Sequence, residues 1–572
     1  MQLLIVALLA LCVAALGCAR SDRGPGPANS TADAPADGHG SHPNEPAART
    51  TLLGNLGDYH RAITVTDADA QKFFDEGLTL LYGFNHEEAF RSFERAAALE
   101  PKAPMPRWGM SLALGTNYND TATPDRLQQA HLHLTHAQER VANGSEVERA
   151  FIDALARRYV ATPADGKQPA REAAYSAAMG EVSKRFPDDL DAATLYAESM
   201  MNLRPWKLYT FNGDPEPGTE RIVKTLESVM ARNPKHPGAN HYHIHAVEAS
   251  RAPDRGVTSA KRLETLVPGA GHLVHMPAHI WMRTGDYIAA ARTNAAAALL
   301  DERYVKATGA KGLYPTMYYG HNLQFESAAA MMAGNFASAR VAGQKTADLV
   351  APMAGEMAML QPFALQEVLA LLRFSRLDEV LAQPAPPAGR DLQTSLYHYT
   401  RGAAFAGKGQ AADAEKELAA LQAAAARVTK DVMYSTVNPA PLVLDVAALD
   451  LAARVADARG GGAAAAAAWR RAVSAEDKVG YGEPPDWLFP TREGLGASLM
   501  RAGRTAEAER VYRADLVKNR KNPRSLFGLW KALERQGKTA EAAKVKAEFD
   551  AAWAGADVTL GETDLTARKA TN

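Results

Sequence analysis

The chain has almost no cysteine. Of its 572 residues only Cys12 and Cys18 are cysteines, both at the N-terminal end. The remainder therefore holds neither a disulfide framework nor a thiolate metal site, and its fold has to rest on packing. Charge of one sign is lacking too. Lys and Arg number 64 against 65 Asp and Glu, giving a formal net charge of −1. With no basic stripe, nothing supports a nucleic-acid-binding surface. The period-two alternation of half-buried strands persists nowhere. Several catalytic fingerprints are missing as well. His86-Glu87-Glu88 is not followed by a histidine at 90, and no G-x-S-x-G, phosphate-binding loop or dinucleotide glycine pattern occurs.

One long apolar run is present, in MQLLIVALLALCVAALGCAR at residues 1–20. It is too short for a comfortable membrane span and has the length of a signal peptide. Gly17-Cys18 resembles the processing site of bacterial lipoproteins. Residues 1–18 are accordingly expected to be a signal peptide ending at a lipidated Cys18. The expected destination is the cell envelope, with a membrane anchor at the outer membrane or on the periplasmic face. Residues 19–57, rich in Gly, Pro, Ala, Ser and Asp, read as a disordered linker. A composition of 47% hydrophobic and 23% charged residues supports a large core, either as several domains or as a repeat array.

The rest of the chain has helical spacing and a repeat. In KFFDEGLTLLYGFNHEEAFRSFERAAALEP, Gly77, Ala89, Phe93, Ala96 and Pro101 fall at positions 8, 20, 24, 27 and 32 of the tetratricopeptide signature. Leu495, Gly496, Ala508 and Tyr512 repeat positions 7, 8, 20 and 24 near the other end, and Ala542 follows Ala508 by 34 residues. Gly285 with Ala290, and Gly334 with Ala339, keep this register through the middle. The chain thus resembles the tetratricopeptide repeat (TPR) superfamily. It is similar in particular to uncharacterised exported bacterial TPR proteins, through LLYGFNHEEAFRSF, GHLVHMPAHIWMRTGDY and YGEPPDWLFPTREGLG. The resemblance implies an all-α solenoid, a superhelix of antiparallel helix pairs whose concave groove binds ligands. The expected boundaries are an N-terminal solenoid over 58–380, a connection at 381–392, a C-terminal solenoid over 393–556 and a flexible tail at 557–572. Irregular excursions are expected near 116–126, 205–218 and 305–316.

Histidine is the unusual abundance. HYHIHAVE at 241–248 and HMPAHIWM at 275–282 hold histidines at matching offsets, and six of the chain's 16 histidines fall between 241 and 279. At about 100° per residue, the register puts His241, His245, Glu248, His272, His275, His279 and His321 on the groove face. His243 points about 200° away from its neighbours, which makes it a packing residue. A lone H-x3-H is more often structural than ligating, but a crowd of imidazoles on one face calls for a shared cation. The expectation is a transition metal, Zn, Cu or Fe, held by these residues, with Glu248 as ligand or candidate general base. His241, His245, His275 and His279 are expected to share the ion. Met282 adds weight to copper unless it simply packs. Gln324, Met282, Trp108 and Glu493 are further groove contacts. The function expected is an exported, metal-binding TPR lipoprotein, whether a carrier or a metal-dependent enzyme. The alternative is an envelope scaffold that binds a protein partner without metal. Phe74, Trp108, His241, His275, Gln324 and Glu493 stand where peptide-carboxylate clamps of the superfamily carry Lys or Arg, which argues against that one mode of partner binding.

Overall fold

The structure, a computed structural model, describes residues 51–312 and 314–561. The signal segment with Cys18, most of the expected linker and residues 562–572 lie outside the described residues. Helices follow one another as antiparallel pairs, beginning with Ala68–Tyr82 and His86–Leu99 and ending with Pro523–Arg535 and Thr539–Ala552. No strand occurs among the described residues beyond two isolated bridges, Tyr209 with Pro215 and Met433 with Pro439. No described helix is long and apolar enough to cross a membrane.

The packing explains the repeat. Phe93 is fully buried, and its ring sits between two glycine-bearing helices. A Cβ added at Gly77 would approach that ring to 2.7 Å, and one at Gly109 to 2.6 Å. Tyr512 does the same at the C-terminal end, where a Cβ at Gly496 or Gly528 would lie 2.4 or 2.2 Å from it. One aromatic wedge per pair thus requires a small residue on the helix before it and on the helix after it. Removing such a wedge costs about 3–5 kcal/mol. Side-chain caps fix the helix starts: Asp67 accepts from the amides of Asp69 and Ala70, and Asn335 from that of Ser338.

The superhelix closes on itself. A Cβ at Gly238 would meet Tyr82 of the first helix at 2.5 Å, so the Pro237–Val247 helix packs directly against Ala68–Tyr82. The segment before the first helix straps this closure: the Arg61 guanidinium donates to Asp189 at 2.8 Å and to Asp191 at 2.7 Å. Residues 51–57, within the expected linker, belong to this strap. Leu56 is buried, and the backbones of Asn55 and Gly57 run against Gly269 and Leu266. The C-terminal repeats return to the middle of the chain. There Tyr287 Oη donates to the Arg520 carbonyl at 2.9 Å, and Gly334 lies against the Trp553 ring. Asp557, assigned by sequence to the tail, accepts from the amides of Phe336 and Ala337 at 2.6 and 2.8 Å. The helix after the expected connection begins at Asp391. Because of this closure, the concave face of the 237–325 repeats is an interior and not an open groove.

Candidate metal centre

Three consecutive concave-face elements supply the imidazoles. The first is the Pro237–Val247 helix, started by His236, whose Nδ1 accepts from the Ala239 amide at 3.2 Å. The second is a broken helix: Gly271–His275 gives way to Pro277–Thr284 because Pro277 has no N–H to continue the ladder. The third is Gly320–Ala333, entered through a π-helical turn at Tyr314–Tyr319.

His241, His245, His272, His275 and His279 are each at most 2% exposed, and His321 is half-buried. Three compact groupings emerge in which all ligand atoms lie within 4.8 Å of one another: His241–His245–His272, His275–His279–His321 and His245–Glu248–His279. His241 and His275 therefore fall into different groupings, whereas His245 and His279, one from each histidine triad, meet in the third together with Glu248. His243 turns away, its Nδ1 3.0 Å from Ser259 Oγ.

Hydrogen bonds fix the tautomers, and those bonds aim the other nitrogens inward. His241 Nδ1 donates to the Tyr82 carbonyl at 2.6 Å, and His275 Nδ1 to Asn294 Oδ1 at 2.6 Å. His245 Nδ1 donates to Glu248 Oε1 at 2.9 Å, and His279 Nδ1 to Glu248 Oε2 at 2.5 Å. Nε2 of His275, left bare by its Nδ1–H, lies 2.6 Å from His279 Nε2, which must then carry the proton. At the other triad His272 Nε2 lies 3.2 Å from His241 Nε2. His245 Nε2 and His272 Nδ1 are buried and have no hydrogen-bond partner. Unpaired buried polar atoms of this kind cost about 1–3 kcal/mol each unless something binds them.

A second carboxylate, which sequence reasoning missed, comes from the far end of the chain. Glu483 is buried and contacts His279 Nδ1, while Tyr481 Oη donates to its Oε1. Its loop is rigidly held. Asn438 Nδ2 donates to the Gly480 carbonyl at 3.1 Å and to Asp486 at 2.7 Å, and Trp487 packs edge-on against Tyr399. Arg283 ties loop to site: it donates to the Glu248 carbonyl at 2.9 Å and lies over the Tyr481 ring at 5.1 Å. The signal that could have found Glu483 is the YGEPPDW segment, conspicuous for its break in helical spacing but offering no register.

The electrostatics follow from burial. Desolvation holds His245 down at about 3 and His321 at about 4, and pushes His241, His272 and His275 well below the usual imidazole range. His279 is the exception: burial pulls it down, but Glu483 and Glu248 outweigh that and raise it to about 10. Burial, then the charge of Glu248, lifts Glu483 to about 7. The site so arranged is one protonated and five neutral imidazoles beside two carboxylates.

The irregular excursions roof the site. Tyr118 and Trp206 lie 5.2 and 5.8 Å from the His245 ring, and Tyr318 lies 4.9 Å from His272. Phe84 stacks on His245 and His272 at 5.9 and 5.6 Å. Phe84 and Tyr318 also line a cavity of about 330 Å³ with His86, Asn117 and Tyr314, so this cavity shares a wall with the first triad. Of the other expected groove contacts, Trp108, Met282 and Glu493 find partners elsewhere. Trp108 packs edge-on against Phe151, and Met282 packs beside Tyr287 and Met332. Glu493 is bound by Arg373 at 2.6 and 3.0 Å and by Asn522 at 2.8 Å. Gln324 is half-buried on the helix that carries His321.

No protein-family model and no curated protein matches the sequence. Among solved structures the chain is similar to yeast Tom70, with 9% identity over 84% of this chain and 92% of that one and a TM-score of 0.28. It is similar to the TPR domain of P58(IPK), with 13% identity over 82% and 99% and a TM-score of 0.20. A third similarity is to Naa15/Naa10 bound to HypK-THB, with 12% identity over 85% and 89% and a TM-score of 0.22. These likenesses concern the fold alone and carry no inference about ligand or partner. The solenoid assignment rests on the glycine–aromatic helix pairing described above.

Proposed function

We propose that this chain is a transition-metal-binding solenoid. The observation that carries the reading is the convergence of six imidazoles and two carboxylates in one interior, with His245 Nε2 and His272 Nδ1 unpartnered there. Neutral imidazoles and carboxylates are a donor set that suits Zn, Cu or Fe. His241, His245, His272, His275, His279 and His321 would be the ligands, with Glu248 and Glu483 as ligands or proton acceptors. Tyr82 and Asn294 orient His241 and His275 by taking their Nδ1 protons. Bound there, zinc would supply Lewis acidity, and copper or iron electron transfer. The cavity walled by Phe84 and Tyr318 is the approach we assign to the centre. Carriage of the metal and chemistry at it are both compatible with this cavity. A metal-free scaffold would have to use the outer surface for its partner, since the concave face here is filled.

Elemental analysis of chain purified without an affinity tag, and without added metal, tests the reading. Stoichiometric Zn, Cu or Fe is expected; protein that neither retains nor takes up any of them would refute it. Export remains part of the proposal, resting on the apolar run that ends at Gly17-Cys18. Replacing Cys18→Ser should release processed protein or stall the precursor, and unchanged membrane attachment and processing would remove the lipid anchor from the account.

A further inference from the structure

The two histidine triads are copies of one another. Each takes two imidazoles one turn apart on one concave-face element and a third from the next: His241, His245 and His272 in the first, His275, His279 and His321 in the second. In the repeat register these are positions 5 and 9 of one unit and position 2 of the following unit, used twice. The triangles match. Ring centroids in the first are separated by 5.0, 5.0 and 6.3 Å. The corresponding separations in the second are 4.6, 4.8 and 6.3 Å.

From this geometry we infer that the centre is dinuclear, with one metal ion held by three imidazoles in each triad. The inference rests on the metal reading above and adds the number of ions and their assignment. Ligand nitrogens on a common ion lie about 2.0–2.1 Å from it, and so within about 4.2 Å of each other. Each triad is close to that compactness. Among the described residues, no compact grouping of three joins His241 with His275 or His272 with His321; the one grouping that spans the halves, His245–Glu248–His279, does so through the carboxylate between them. One ion shared by all six is therefore not the arrangement built here. Glu248 stands between the halves, one oxygen on His245 and the other on His279, in the place of a bridging carboxylate. Glu483 reaches the second triad, through His279, from the opposite side. Once His279 gives up its Nε2 proton to bind an ion, the two buried carboxylates offset two positive charges, so a pair of monovalent ions such as copper(I) leaves this interior neutral. Two divalent ions leave an excess that an anion at the open positions would offset. Three imidazoles per ion keep a coordination position free in each half.

The test is stoichiometry. Tag-free full-length chain is stripped with a chelator and loaded anaerobically with Cu(I) and, separately, with Zn(II). Bound metal per chain is then counted after desalting. Two ions per chain with at least one metal is the expected result. One ion at saturation with both would overturn the pair while leaving a metal site intact; none would defeat the metal reading itself. His272→Ala and His321→Ala should each reduce the count from two to one with unchanged helical circular dichroism. His321 is only half-buried, and His321→Gln, which keeps the bulk, stands in if the alanine variant misfolds. A variant that loses both ions, or neither, would show that the triads are not separate sites.

Discussion

The concave positions of the 237–325 repeats and of the 491–522 repeats are built on the same helix pairs but handle polar groups in opposite ways. In the C-terminal stretch Glu493 receives two bonds from Arg373 and one from Asn522, and Asp515 receives bonds from Asn522 and Ser525 at 2.8 and 2.6 Å. Both of these carboxylates are held by several protein donors. In the histidine interior five imidazoles are neutral, and His245 Nε2 and His272 Nδ1 are buried with none. A satisfied network can be purely structural. Buried imidazole nitrogens without a partner cost stability, and on the function proposed above a bound ion would supply the missing partner. Crowding of polar residues on the concave face does not itself mark a site; what distinguishes the histidine interior is that its polar groups are mostly neutral imidazoles, two of them with a bare buried nitrogen, rather than carboxylates held by protein donors.

Four measurements would break or sharpen this contrast. The largest effect is expected from His245→Ala/His279→Ala, which takes a ligand from each triad. Metal content should drop to background while the helical fold survives, because a solenoid's stability resides in neighbour contacts such as the Phe93 and Tyr512 wedges. Glu493→Gln, at the C-terminal counterpart, should leave metal content as in wild type. Elemental analysis and circular dichroism on the same samples read both. Next is Arg373→Met, which leaves Glu493 without its guanidinium in a mostly buried setting. Urea unfolding should show a loss of about 3–5 kcal/mol, with metal per folded chain unchanged.

A smaller effect should follow Glu483→Gln. It removes a charge from beside His279 but no imidazole, and metal affinity should fall roughly 10–100-fold. Competition against a chelator of known affinity measures it, and unaltered affinity would demote the loop to a structural plug. The smallest effect is one of pH. Burial alone would raise Glu493, but the Arg373 charge and hydrogen bonds outweigh it and hold this carboxyl below its usual range. Its folded value thus lies under the unfolded one, near 4.3, so the pair's contribution is complete above about pH 4.3 and lost as pH falls through the folded value. The stability gap between wild type and Arg373→Met should accordingly narrow as acid titrates Glu493, and a gap that stays constant until both proteins unfold in acid would contradict the pairing.

Much of the centre could be read from the residues because its spacing is local and periodic. The 34-residue interval between His241 and His275, together with the glycine register, put seven residues on one face, and six of them form the two triads while Glu248 lies between. His243 was separable for the same reason: a helix turns about 100° per residue, and Ser259 sits where that rotation points it. Trp108 and Glu493 obeyed the same register yet lie elsewhere, because a register position gives a face and not a neighbour. The expectation that His241, His245, His275 and His279 share one ion likewise came from register alone, with His272 and His321, which rise from the following units, in the wider set of ligands on that face.

The sequence by itself determined the helix pairs, the concave face and the chemical character of that face, since each depends on residues within about one repeat of each other. Only the tertiary structure decided that the face is an interior, that Tyr118, Trp206 and Tyr318 roof it, and that Glu483 completes it. Those contacts depend on how far a superhelix rotates over many repeats. That sum of small packing angles brings a loop near residue 483 against a histidine at 279, and no local pattern encodes it.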